Sequence, residues 1–397
     1  MTFKLFGKPS SLYDNKPPKD YAQEAKELLM VKHSLPTNTK KWGQFDTSII
    51  NDDDVVLLVD GDWLCFTSAS EEMERFINVY IDGVKHKFKG MTQYKDWCKE
   101  NNRLDEYKKH KIEKGQYNHP KAISFAKASV KKKIRKGIEA TGATKVVIFC
   151  GSTGNHRNEL PLPMLCDKKY YNYKGQREGE WIPDTLFEIK DWSMSNWLSH
   201  WAVFEESDDC ITIAKHTLFK RGIKCYTYCV DKDFCQDHIG GLFLVGRHET
   251  PVYFQGKEED KLGWVKAVKT SGNSDKMLGQ GDKFLCYQIL TYDTVDNYSA
   301  YAVLRKYGTL KNFSYNQCAK YLNQFNTQQE LWQGVYDFFV KHLPSEFEYV
   351  DCFGNTVKSS PLHMLDLHFK CACMRTHKDH VCDVVEDRLK PLGVKYD

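Results

Sequence analysis

The chain holds 397 residues, 28% of them charged and 41% hydrophobic, a globular composition with enough apolar material for one large core or two ordinary ones. No apolar run approaches the roughly eighteen residues of a membrane span, and residues 1–20 lack the apolar stretch of a secretory signal, so neither a membrane partner nor a secreted, disulfide-built fold is expected. Fourteen cysteines in such a chain point to reduced thiols in a cytoplasmic setting.

The formal net charge is only +4, but it is unevenly spread: Lys108 to Gly137 carries eleven Lys/Arg against one acid, Glu113. Such a local excess is the electrostatic footprint of a phosphate-binding surface, although most charge runs are only solvated helix faces.

Residues 1–50 are polar, with Pro17, Pro18 and Pro36, and predict an extended arm with one short helix near 21–32. Val55 to Val59 are five consecutive Val or Leu residues, the pattern of a strand buried on both faces, as in parallel sheets. The strand runs out into Asp60-Gly61-Asp62. Residues 76–118 look inserted, with a hairpin turning at Asp82-Gly83 and a polar helix over 93–113. The spacing of Ile123, Ala126, Val130, Ile134 and Ile138 predicts an amphipathic helix over 120–140, with Lys127, Lys131 and Arg135 on another face. A second buried strand follows at 145–150, and the crossover between the two should set them parallel.

Residues 170–177 interleave aromatics with cations, which suits a single strand: rings stack on bases while cations meet phosphates. Helix is expected from Pro183 to about residue 200, then from Asp208 to Arg221, where Gly222 closes it. A third strand is expected at 223–230, ending in Asp231-Lys232-Asp233, with further strands at 242–245 and 252–254 and a helix over 276–290. The last hundred residues read as helical and aromatic. The predicted class is α/β, a mostly parallel central sheet flanked by helices with a helical C-terminal region.

Acidic groups recur at element ends: Asp60 and Asp62, then Glu206, Asp208 and Asp209, then Asp231 and Asp233, then Asp293 and Asp296. One acidic pair at a strand end is usually a cap or a solvated turn. Four clusters interleaved with strands in the same order predict a shared pocket at the carboxyl edge of the sheet, where α/β ligand sites lie. Carboxylates that close cannot all ionise without cations, and oxygen ligands suit Mg²⁺ or Mn²⁺.

At these residues the chain resembles the phage 5′→3′ exonuclease and flap endonuclease family, whose fold is a PIN-like nuclease fold. The likeness rests on Asp60-Gly61-Asp62-Trp63-Leu64, Arg157-Asn158-Glu159-Leu160, Tyr173-Lys174 with Arg177, Glu206-x-Asp208-Asp209, Asp231-Lys232-Asp233-Phe234 and Asp293-x-x-Asp296-Asn297, over roughly residues 50–310. The resemblance implies a DNA 5′→3′ exonuclease that also cuts flaps and RNA in RNA–DNA hybrids, working on a free 5′ end in a host cytoplasm. It implies two divalent ions held by Asp60, Glu206, Asp208, Asp231 and Asp233, with Asp209, Asp293 and Asp296 completing the cluster. Lys174, Arg157 and Arg177 would meet phosphates, and Tyr173 would stack on the terminal base; apart from the resemblance, the basic face of Lys127, Lys131 and Arg135 is expected to bind DNA. In domain terms it implies an arm (1–50), a nuclease core (51–255) with the insertion and an arch over about 175–200, a helical DNA-binding region (256–310) and an extension (311–397).

The pattern also departs from the family. Cys150-Gly151-Ser152 carries no acid after the second strand, and Tyr298-Ser299-Ala300 replaces the glycine-rich turn that would hold K⁺. In the tail, Cys371, Cys373, His377, His380 and Cys382 crowd together, but their spacing fits no standard Zn²⁺ pattern, which favours cysteines of a helical core. Two other functions compete. Asp60-x-Asp62 resembles the nucleophile motif of haloacid-dehalogenase phosphatases, though Leu64 stands where Thr or Val is wanted. A non-catalytic nucleic-acid-binding module would use the basic surface alone.

Overall fold

The computed structural model describes residues 45–71, 73–165, 172–175, 181–270, 275–378 and 384–396. The predicted arm helix near 21–32 and Arg177, His380 and Cys382 lie outside these residues.

The first nine strands in chain order build the central sheet and the insertion. They are β1 (Val55–Asp60), β2 (Met73–Ile81), β3 (Val84–Phe88), β4 (Lys111–Asn118), β5 (Lys145–Asn155), β6 (Leu198–Phe204), β7 (Lys224–Cys229), β8 (Ile239–Leu244) and β9 (Val252–Gln255). Six of them form one sheet in the order β6-β5-β1-β7-β8-β9. All its pairings are parallel except β8 with the edge strand β9. This is the mostly parallel α/β sheet that the apolar run at Val55 predicts.

β1 sits near the middle because both its faces are apolar. Val56 and Leu58 enter one core layer while Leu57 and Val59 enter the other, all fully buried. Each such side chain contributes roughly 1.5–3 kcal/mol of burial. On the second layer lie the helices Gly61–Ser70, Ala122–Thr141 and Leu186–Asn196, through residues such as Leu64, Val130 and Ile189. The helix Ser207–Lys220 covers the first layer with Ile211 and Leu218.

The last hundred residues are continuous with this first layer. Trp332, Phe339 and Phe369 belong to the same core as Val56 and Leu58. They come from the helices Gln328–His342 and Pro361–Ala372, between which a hairpin (Phe347–Val350 with Thr356–Ser359) is inserted. Among the described residues no helix is long and apolar enough to cross a membrane.

Three local expectations are corrected. Residues 276–280 are not the start of a helix: Asp275–Gln280 pairs with Trp264–Lys269, and the helix begins at Gly281, whose φ of +67° breaks any continuous helical path. The polar stretch 93–113 divides into the helix Met91–Glu100 and strand β4. Segment 175–200 divides too: the helix Leu186–Asn196 is a packed layer, and Trp197 turns extended to start β6, an edge strand of the sheet.

Candidate active site

The carboxyl ends of β1, β7 and β6 face one region. Asp60 is the last residue of β1 and caps the next helix, accepting the Trp63 N–H at 3.0 Å. Gly61 is needed there because a Cβ would come within 2.6 Å of Ile148, Cys150 and the Phe149 carbonyl. The close approach seats the helix on β5 and aims Asp62 at it. Asp62 Oδ2 accepts from Gly151 N at 3.0 Å and Ser207 Oγ at 2.9 Å, while Oδ1 pairs with Lys190. Beyond Gly151 the β5–β6 register shifts, the kind of irregularity that re-aims chain beside functional sites. From β7 the chain enters a short 3₁₀ turn, Lys232–Gln236, which Asp231 caps through the Asp233 N–H at 2.9 Å.

The acids feel one another. Burial, then the charge of Asp62 and that of Asp231, push the Asp60 carboxyl up to about 7. Burial, then Asp60, Asp231 and Glu206, hold Asp208 well above the usual carboxylate range. Burial and Asp231 push Asp233 up to about 7 against the pull of Lys232. Desolvation also presses on Glu206, but Lys174 and then Arg157 outweigh it and hold that carboxyl low.

Three lysines stand among these acids. Lys174 pairs with Glu206 and lies 3.8 Å from Asp296. Lys232 pairs with Asp233 at 2.9 Å and with Asp293. Lys190, a buried residue of the helix Leu186–Asn196, pairs with Asp62. Sequence reasoning missed Lys190, since one lysine inside an amphipathic helix carries no local mark of the partner it will meet.

The loops that carry Lys174 and Asp296 are clasped. Lys174 N donates to Asp296 O at 2.8 Å, and Asn297 Nδ2 donates to Asn172 O at 2.7 Å. Lys174 and Asn297 both have positive φ, 54° and 61°, conformations that non-glycine residues adopt at tight turns and at functional positions. Asp293 and Asp296 sit in a two-rung hairpin, Tyr292–Asp293 with Tyr298–Ser299, between the helices Gly281–Leu290 and Ala300–Lys306.

Several expected roles change. Arg157 is 2% exposed and all five of its N–H groups are engaged. They reach Asp209 at 2.7 and 2.9 Å, Glu206 at 3.0 Å, and the carbonyls of Lys370 and Cys373 at 3.0 and 2.7 Å. No donor remains for a phosphate. Asp209, fully buried against Arg157 and also accepting the Arg375 N–H at 2.9 Å, is closed to a metal. Tyr173 is 3% exposed and spends its hydroxyl on Glu206 and Asp296, so its ring cannot stack on a base. Lys127 and Lys131 flank Trp192 of the neighbouring helix, with Lys127 also 3.4 Å from Glu188; Lys131 and Arg135 remain exposed on the surface.

The tail cysteines have a structural place. Cys371 and Cys373 are buried, and the chain around them buttresses the acidic edge: Gln236 donates to Ala372 O and accepts from Met374 N, and Arg375 pairs with Glu205 at 3.1 Å.

Among the described residues no three His, Cys, Asp or Glu side chains stand as a ready metal cage. The donor chemistry nevertheless fits a hard cation. Asp60, Asp208, Asp231 and Asp233 are oxygen donors whose mutual repulsion a divalent ion would relieve. A phosphatase using Asp60 as nucleophile fits less well, because Asp60 is 6% exposed and Asp62, its acid partner in that scheme, is already taken up by Gly151, Ser207 and Lys190.

The fold and this edge define an α/β protein with an acid-and-lysine site at the carboxyl ends of parallel strands. No family model and no curated protein matches the chain. Among solved structures it is similar to the bacteriophage T5 5′-exonuclease with zinc bound, at 12% identity and a TM-score of 0.42 over 85% of this chain and 96% of that one. It is likewise similar to the T5 flap endonuclease in a pseudo-enzyme-product complex with DNA and metal ions, at 12% identity and a TM-score of 0.43 over 85% and 97%.

Proposed function

We propose that this chain is a metal-dependent nuclease that hydrolyses DNA phosphodiesters from a free 5′ end and leaves 5′-phosphates. The observation that carries the reading is that Asp231, at the end of β7, lies within the charge reach of Asp60, Asp208 and Asp233, all three with carboxyls pushed up, at a sheet edge that also holds Lys174 and Lys190. The 5′ polarity, and action on flaps and on RNA in hybrids, rest on the family resemblance of the motifs.

Asp60, Asp208, Asp231 and Asp233 would hold Mg²⁺ or Mn²⁺, two ions in the full proposal, with Glu206 fixed beside them by Lys174 and Asn155. Bound there, such ions would lower the pKa of a water and neutralise phosphoryl oxygens. The chain's own part is electrostatic. In-line displacement builds charge on the non-bridging oxygens, and the ammonium groups of Lys174 and Lys190 are preorganised, already charged donors at the edge. Lys190 is held well protonated: burial opposes its charge, but the Asp62 carboxylate beside it favours it.

Digestion of 5′- and 3′-labelled duplex, flap and hybrid substrates with Mg²⁺, Mn²⁺ or EDTA tests the proposal. Wild type should release the 5′ label first and only with a metal, and Lys174→Ala should bind but cut slowly. Cleavage undiminished in EDTA, or release of the 3′ label first, would overturn it.

A further inference from the structure

The insertion carries a second surface that the acidic edge does not use. β2 pairs with β3 and with β4, giving a three-stranded antiparallel sheet in the order β3-β2-β4. Its hairpin turns at Asp82-Gly83, both at positive φ (49° and 79°), as a tight two-residue turn requires. Strand alternation sorts the side chains. Ile77, Val79, Ile81 and Phe88 face the helix Met91–Glu100 and close a small core of their own with Tyr94 and Cys98.

The opposite face is not apolar packing. It presents Phe76 and Tyr80 from β2, Lys85 and Lys87 from β3, and Lys111 and Tyr117 from β4, with two acids among them: Glu74 at the edge, and Glu113, which pairs with Lys111 at 2.7 Å and accepts the Tyr80 hydroxyl at 2.7 Å. Lys85, Lys87 and Lys111 are exposed, and Tyr117 is 54% exposed. The Lys87 ammonium lies 3.9 Å from the centre of the Phe76 ring, and that of Lys111 lies 5.0 Å from the centre of the Tyr80 ring. Gly115, directly across from Phe76, is what lets the ring lie over the neighbouring strand: a Cβ there would fall 2.4 Å from it. A glycine inside a strand normally weakens it, so its use to lay a phenyl ring across an open sheet is informative.

Charge names the occupant. Met73 to Asn118 holds eleven Lys/Arg against seven Asp/Glu, an excess equal to the formal +4 of the whole chain. One exposed ring, Tyr117, and two half-buried ones with lysines beside them, Phe76 and Tyr80, match unstacked bases on a phosphate backbone; in a duplex the base faces are already covered by their neighbours.

We propose that the outward face of this sheet is a binding platform for single-stranded DNA, with Phe76, Tyr80 and Tyr117 as stacking surfaces and Lys85 and Lys87 as phosphate contacts. It deepens the nuclease reading by adding a place to hold a strand away from the acidic edge, and it does not depend on cleavage.

The test is fluorescence anisotropy of a labelled oligothymidine with full-length protein in EDTA, comparing wild type with the double variant Phe76→Ala/Tyr80→Ala, and separately with Lys85→Glu/Lys87→Glu. Stacking is worth about 1–3 kcal/mol per base, so the aromatic pair should weaken single-strand binding at least about tenfold while binding of a blunt duplex changes much less. The lysine pair should weaken it and flatten its salt dependence. Unchanged oligothymidine binding in both variants, with wild-type thermal midpoints, overturns the platform and leaves the nuclease reading standing. Weakened binding in a protein that cuts nothing under any metal upholds the platform and sinks the nuclease reading instead. Equal loss on duplex and single strand also overturns it, because stacking would then not be the source.

Discussion

Asp208 and Asp209 are neighbours in sequence and opposites in surroundings. Asp209 is sealed under Arg157 and the backbone of the C-terminal segment, every charge answered. Asp208 faces Asp60, Asp231 and Glu206, with like charge on three sides. The same pair of side chains therefore builds both halves of one edge: an anchored half that holds the tail to the sheet, and a repulsive half that invites a cation. Charge alone does not tell structural acids from chemical ones; what surrounds the charge does.

If this division is right, the anchored half should fail as structure. Arg157→Ala would strand Asp209 without its buried partner, and breaking such a pair costs about 3–5 kcal/mol. Urea denaturation should show that loss; a variant of wild-type stability would break the comparison. The repulsive half should fail as chemistry. Asp233→Asn is expected to lower turnover roughly a hundred- to a thousand-fold at unchanged DNA affinity. It should leave the thermal midpoint of the metal-free protein equal or higher, because it removes one of several repelling carboxylates. Mg²⁺ at about a hundred times its Kd should raise wild-type stability by about 2.7 kcal/mol and that of the variant by less, read as the shift in midpoint.

A smaller effect separates the halves by pH. His368, buried in the helix Pro361–Ala372 near Tyr298 and Phe339, has its pKa lowered to about 4 by burial. The unfolded chain takes up that proton near 6.5, so it binds more protons than the folded one between the two values. The contribution of His368 is present in full above 6.5 and is lost as pH falls toward 4. Between pH 6.5 and 5 the loss is about 1.6 kcal/mol, and His368→Leu should flatten that part of the stability profile whatever its effect on absolute stability. Smallest is Tyr173→Phe. It removes two hydroxyl contacts, at 3.3 Å to Glu206 and 3.2 Å to Asp296, and should cost about 1 kcal/mol of stability. A large loss of affinity confined to substrates with a 5′-terminal base would restore the stacking role that burial denies this residue.

Much of the scaffold was legible because its signals are local. The Val55–Val59 run, the three- and four-residue spacing from Ile123 to Ile138 and the Asp82-Gly83 turn each act within a few residues, and each appears where it was expected. β6 was not legible, since Leu198–Phe204 follows a helix with only Trp197 between them. Nor was the hairpin strand Asp275–Gln280, whose apolar content fits helix as well as strand until its partner is known.

The sequence by itself determined that acids would recur at the ends of parallel strands, because strand periodicity and chain reversals are written in neighbouring residues. Only the tertiary structure decided which acids are sealed and which are left facing each other. The partners of the Arg157 guanidinium lie 49 to 216 positions away, and no local pattern records them. Hydrogen bonds and ion pairs act over a few ångströms of space, and that proximity exists only after the core layers have brought distant segments of the chain together.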